Sequence, residues 1–274
     1  IAGILKAGKI GNDRWESCWY DPAAPEACGL GEIGGPGRPV VLWGDSMASS
    51  AVSAFDVLTR DRQAKGTAFV MPSCAPLIGL AHENANEADC LAANDAVLGW
   101  IDAQPASDVF LFARWPMYFE GYYHTDLDPI GSAKYFGPGV IAVEGAPRDL
   151  AERALRATLA AIPKRHRVIV VGPVPEYRGS IPDVMVRAIR FGSAPETLTR
   201  AEFDRISGVT RDRIADAAEA EGAVFVDPTD TFYTLNLYPY AEGDMPIFAD
   251  AVHLSLLGNK LLSEAIKKNF LGTN

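Results

Sequence analysis

An α/β fold built on a five-stranded parallel sheet covered on both faces is what this 274-residue sequence predicts. Three observations carry the expectation. Short, continuous apolar runs recur along the chain, as strands buried on both faces require. Segments with helical apolar spacing lie between them, which gives the strand–helix alternation of a parallel sheet. The runs stop at turn-forming residues such as Gly44 and Pro72, where a strand hands over to a loop.

The elements follow in order. Residues 1–38 are irregular, carry Cys18 and Cys28, and close on Gly34-Gly35-Pro36-Gly37; they read as an N-terminal extension or linker. Pro39-Val40-Val41-Leu42-Trp43 is the first strand. Residues 47–63 follow as a helix, with Ala48, Ala51, Val52, Phe55 and Leu58 on one stripe. Thr67 to Met71 is the second strand, residues 91–103 a helix, and Asp108 to Ala113 the third strand. Residues 116–147 interrupt the rhythm with Gly, Pro and aromatics and are expected to form a long functional loop or insertion. A helix over 148–162 and a strand at Val168–Val171 come next. Residues 173–198 are irregular, with room for one short helix. Thr199 and Glu202 then form a capping-box pattern for a helix reaching about Glu221. Ala223 to Val226 is the fifth strand, 229–249 a second aromatic-rich loop, and Ser255 to Lys268 the last helix.

This is a three-layer α/β/α arrangement of flavodoxin-like type, with residues 39–274 as the main domain. Ligands of such sheets bind beyond the carboxyl ends of the strands. Ser46, Ser73, Arg114 and the loop after the fifth strand belong there.

Composition narrows the function. Hydrophobic residues make up 48% and charged residues 22% of the chain, ordinary values for a globular protein. The formal net charge is −10 with no basic block, which argues against nucleic acid as a partner. No apolar run is long enough to span a bilayer. The opening Ile1-Ala2-Gly3-Ile4-Leu5-Lys6 lacks signal-peptide architecture. The four cysteines fall into two close pairs, Cys18/Cys28 and Cys74/Cys90. Proximity favours two short-loop disulfides and an oxidising compartment. Four cysteines permit three connectivities, and free thiols or a zinc site are the alternatives.

Two motifs carry chemistry. Gly44-Asp45-Ser46 lies directly between the first strand and a helix. A serine there stands at the sheet edge, and its N–H can meet a developing oxyanion; the plainer alternative is a helix N-cap. Asp250-Ala251-Val252-His253-Leu254-Ser255 precedes the last helix. A histidine three residues after an aspartate can have its Nδ1–H held by that carboxylate, which fixes the tautomer of a general base. Together, a serine after the first strand and Asp-x-x-His before the last helix resemble the SGNH (GDSL-type) hydrolases. The resemblance implies Ser46 as nucleophile, His253 as base and Asp250 as its orienting partner.

Finer details are similar to SGNH domains fused to membrane acyltransferase-3 proteins. They are Val41-Leu42-Trp43-Gly44-Asp45-Ser46, Pro72-Ser73-Cys74-Ala75-Pro76-Leu77 with Cys90, Ala113-Arg114-Trp115, and Phe248 to Ser255. That subgroup implies a periplasmic O-acetyltransferase module for bacterial surface glycans. Its acyl donor would come from a membrane domain in the same full-length chain, tethered to the inner membrane, and this sequence would be the excised C-terminal domain. No cofactor is implied. Three departures stand out. Met47 follows the serine where many members have His. Ala113-Arg114-Trp115 replaces the usual Asn of the oxyanion hole. Ser73 stands nearest the usual glycine after the second strand. The expected oxyanion donors are therefore the Ser46 N–H, the Ser73 backbone and Arg114. Trp115, Tyr118, Tyr122 and Tyr123 are the candidates for sugar stacking, with Phe119, Tyr135, Phe232, Tyr233, Tyr238 and Tyr240 as further loop aromatics. His82, His124 and His166 have no partner pattern and read as structural. A carbohydrate esterase with the same triad, and a glycan-binding module without catalysis, are the alternative functions.

Overall fold

The computed structural model describes residues 3–4, 18–21, 27–31, 35–82, 87–120, 134–137, 140–144, 148–192, 198–233, 237–238, 241–242 and 245–271. Among the described residues, six strands form the central sheet: β1 (Cys28–Leu30), β2 (Gly37–Gly44), β3 (Ala64–Val70), β4 (Asp108–Phe112), β5 (Arg167–Val171) and β6 (Val224–Val226). Their spatial order is β1-β3-β2-β4-β5-β6. The last five are parallel, as predicted. The sixth is a correction: β1 pairs antiparallel with β3, in register Gly29 opposite Thr67. Part of the segment read as an N-terminal extension or linker thus covers a sheet edge, and Tyr20 N–H donates to Val70 O at 2.8 Å beside it.

The helices used below are α1 (Ser46–Ser50), α2 (Val52–Asp61), α3 (Glu87–Asp102), α4 (Trp115–Glu120), α5 (Arg148–Ala161), α6 (Ile181–Phe191), α7 (Val209–Glu221) and α8 (Leu256–Ile266). Alternate strand residues face two separate cores. Leu42, Phe110, Phe112, Ile169 and Val171 pack with Ala48, Phe55, Leu58, Leu262 and Ile266. Val41, Trp43, Val109, Leu111 and Val170 pack with Val97, Ile101, Leu155, Leu159 and Ile214. This double burial is why the strands read as unbroken apolar runs.

Several expected elements differ in detail. The helix over 47–63 is two, broken at Ala51. The irregular 173–198 region holds the eleven-residue α6, ended by Gly192 in the left-handed region. The capping box at Thr199 and Glu202 forms, but α7 is reached through a π-turn at Asp204–Gly208. The loop at 116–147 begins with α4 and contains strand pairing between Lys134–Gly137 and Val140–Glu144. Among the described residues no helix is long and apolar enough to cross a membrane.

The order β3-β2-β4 means that strands are added to one side of β2 and then to the other, with the switch between β2 and β4. Such a switch point is where open α/β sheets form their binding crevice. Gly44 ends β2 there, paired with Phe112. A Cβ on Gly44 would lie 1.8 Å from Phe112 O, so this strand end admits glycine alone.

Candidate active site

Ser46 leaves the sheet at the switch point, immediately after Gly44 and Asp45. It is the first residue of α1 and not its cap. Asp45 caps the helix, accepting the Met47 N–H at 2.8 Å. The other carboxylate oxygen of Asp45 accepts the Arg114 N–H and the Tyr118 hydroxyl, both at 3.0 Å. Asp45 is fully buried. Burial pushes its carboxyl above the usual range, against the pull of those three donors. One buried carboxylate therefore joins the serine's turn to the loop after β4.

The second half of the site is the turn before α8. Asp250 Oδ1 accepts the N–H groups of Val252 and His253, each at 2.8 Å. Its Oδ2 lies 2.6 Å from His253 Nδ1. Burial raises the Asp250 pKa, but the bond and charge of His253 and these two backbone donors outweigh it and hold the carboxyl below its ordinary value. An ionised Asp250 requires the proton on Nδ1, which leaves the Nε2 lone pair facing outward. His253 Nε2 lies 3.0 Å from Ser46 Oγ. Serine, histidine and aspartate from the two ends of the sequence thus form one continuous hydrogen-bonded line.

Buried polar side chains that the sequence reading missed hold the halves together. Ser50 donates to Met47 O at 2.8 Å and accepts the Leu254 N–H at 3.2 Å. Asn259 accepts the Ala54 N–H at 2.9 Å and donates to Ser50 O and Ser255 O at 2.8 Å. Asn259, a polar residue on the inner face of an apolar helix, was the one available signal. Ser50 and Asp45 gave none beyond their place beside Ser46.

The remaining candidates divide. Ser73 is part-exposed at the end of β3 and adopts φ 57°, a left-handed backbone that suits glycine. It therefore occupies a glycine-type position. Its turn is secured by the Cys74–Cys90 disulfide to α3 and by Asn94, which donates to Ala75 O at 2.9 Å. Cys18–Cys28 is also a disulfide. Arg114 is corrected as an oxyanion donor. Its N–H goes to Asp45, and its Nε and Nη2 donate to Glu176 Oε2 at 3.1 and 2.8 Å. This is a buried ion pair, since the two side chains are 8% and 3% exposed.

Trp115 and Tyr118 are corrected as sugar-stacking residues. They are 0% and 2% exposed. Trp115 Nε1 donates to Val171 O, and Tyr118 stacks edge-on to buried His82 as well as serving Asp45. Their apolar bulk was better satisfied in the second core than in solvent. Phe119 and Phe232 are buried too, and half-buried Tyr233 accepts the Arg200 N–H. Met47 fills the first core. His166 is buried and accepts the Ser107 N–H. Tyr122, Tyr123, Tyr240, His124 and the side chains of Tyr135 and Tyr238 lie outside the described residues.

The class that the fold defines is an α/β protein with a mainly parallel sheet, and it carries the hydrogen-bonded Ser46–His253–Asp250 line at its switch point. The chain belongs to the SGNH domain family described as fused to AT3 domains, whose model matches residues 12–268. Among solved structures it resembles the periplasmic domain of the Salmonella ser. Paratyphi A lipopolysaccharide acetyltransferase, with a TM-score of 0.63 and 15% identity over 87% of this chain and 85% of that one. An acetylxylan esterase from Geobacillus stearothermophilus aligns at TM-score 0.45 and 14% identity, over 86% and 95% of the two chains. A comparison with curated proteins gives no match.

Proposed function

We propose that this chain is a serine-dependent O-acetyltransferase for a bacterial glycan, working through an acetyl-Ser46 intermediate on the periplasmic side of the inner membrane. The observation that carries the reading is the Ser46–His253–Asp250 line, at 3.0 and 2.6 Å. Ser46 Oγ attacks the acyl carbonyl of the donor as its proton moves to His253 Nε2. Asp250 stabilises the resulting imidazolium through Nδ1–H. The Ser46 N–H and the Ser73 backbone N–H meet the oxyanion. The tetrahedral intermediate collapses, and His253 returns the proton to the leaving group. In the second half a sugar hydroxyl gives its proton to His253 and attacks the acyl carbon, and His253 passes that proton to Ser46 Oγ as the acyl–serine bond breaks.

Transfer is favoured over hydrolysis by the family's fusion to AT3 domains, since a membrane acyltransferase domain is a natural source of the donor. The likeness to a periplasmic acetyltransferase domain supports the fold that this chemistry needs. The two disulfides agree with an oxidising compartment.

The test supplies p-nitrophenyl acetate and an oligosaccharide acceptor, and follows acetylated sugar by mass spectrometry beside free acetate. Acetylated sugar is expected, falling by about 10⁴-fold or more in Ser46→Ala. Ser46-dependent acetate without acetylated sugar would favour an esterase, and activity retained in Ser46→Ala would overturn the mechanism.

A further inference from the structure

We propose that the buried Arg114–Glu176 ion pair is a positioning device that, together with the Ser50 and Asn259 links, sets the distance between Ser46 and His253. The inference rests on the reading of Ser46 as nucleophile and His253 as base. It begins from a route of bonds that joins the two catalytic turns without using the Ser46–His253 contact. Asp45, next to Ser46, accepts the Arg114 N–H at 3.0 Å. The Arg114 guanidinium grips Glu176 Oε2 through Nε and Nη2. Tyr177, next to Glu176, donates its N–H to Ala251 O at 2.9 Å, and Ile181 donates its N–H to Asp250 O at 3.1 Å. The route therefore ends on the turn that carries His253.

Each link places a constraint on a different element. Arg114 leaves the carboxyl end of β4, and Glu176 lies in the loop between β5 and α6. Without the ion pair, that loop meets the Asp250 turn but nothing in the route joins it to the Asp45 turn. Both charged side chains are more than nine-tenths buried. A buried pair resists loosening because separation strands a charge away from water. Neutral hydrogen bonds would hold the same loop with less stiffness. The serine and histidine are 207 residues apart in sequence, so their separation is set wholly by such tertiary links. A displacement near 1 Å costs on the order of 100-fold in rate.

A charge pair and an apolar pair of similar volume can stabilise a fold equally well. That separates positioning from mere support. In the double variant Arg114→Met/Glu176→Leu the unfolding midpoint is expected to stay near that of the parent. The rate at which a fluorophosphonate labels Ser46 is expected to fall by about 10- to 100-fold. Turnover of p-nitrophenyl acetate should fall in kcat with KM little changed. Glu176→Gln, which keeps the volume but leaves the Arg114 charge without its counter-charge, should lower the midpoint and, in the folded protein, show a smaller loss of labelling rate. Labelling of either folded variant at the parental rate would overturn the proposal while leaving Ser46 as the nucleophile. Failure of the parent itself to label at Ser46 would instead overturn the catalytic reading, and the proposal with it. If the double variant does not fold, Glu176→Gln alone decides.

Discussion

At the scale of the residue, the site depends on two carboxylates placed in opposite electrostatic settings. Asp45 is sealed in the core, where burial raises its pKa. Asp250 is partly exposed, and its partners hold its pKa down. The difference matters for what each can do. Asp250 stays ionised to lower pH than an ordinary aspartate and keeps the His253 tautomer fixed, whereas Asp45 serves as an acceptor for three buried donors. Because the folded pKa of Asp250 lies below 3.8, its ionisation stabilises the fold above that pH. The contribution is lost as pH falls through the lowered value. Asp250→Asn is therefore expected to reduce activity by up to about 10⁴-fold. Its deficit in urea stability should be constant at neutral pH and shrink below about pH 4. Urea midpoints measured across pH for both proteins check this; a deficit that persists unchanged into acid would contradict it.

At the scale of the element, the candidate site sits on short strand-to-helix turns braced by their neighbours. The Gly44–Ser46 turn is braced by Asp45, and the Ser73 turn by Asn94 and the Cys74–Cys90 bridge. That bridge spans a sequence separation of 16. Closing a loop of that size in the unfolded chain corresponds to about 3 kcal/mol of stabilisation. Cys74→Ala/Cys90→Ala should lower the unfolding free energy by about that amount, read from urea titration. It should also slow acylation of Ser46, because the left-handed Ser73 backbone would lose its restraint. Unchanged acylation in the destabilised protein would remove Ser73 from the oxyanion site.

At the scale of the whole molecule, the sheet is the middle layer of a three-layer frame, and the switch in strand order beside β2 creates the crevice. The N-terminal segment closes the frame at the β3 edge, through β1, the Trp19 bridge to Val70 and the Cys18–Cys28 disulfide. An uncovered strand edge invites pairing with another chain. A variant lacking residues 1–36 is accordingly expected to be less stable and to self-associate, measured by sedimentation beside the parent. A monomer of parental stability would return that segment to the status of a linker.

The five parallel strands were legible because burial on both faces writes itself as continuous apolar runs. Ser46, Asp250 and His253 were legible because their residue types and their places beside the first strand and last helix are local patterns. The edge strand β1 was not, since Cys28-Gly29-Leu30 has neither length nor periodicity and becomes a strand only by pairing with β3. Nor was the fate of Trp115 and Tyr118: aromatic residues near a strand end suit a core or a sugar equally, and the packing of α4 under the sheet decided for the core. Arg114 announced a charge, but Glu176, 62 residues away, supplied its partner. What the sequence by itself determined was the class of fold and the choice of Ser46, Asp250 and His253 as candidates, because those follow from local pattern. What only the tertiary structure decided was which polar groups are buried together, because contacts between distant segments exist only once the chain has folded.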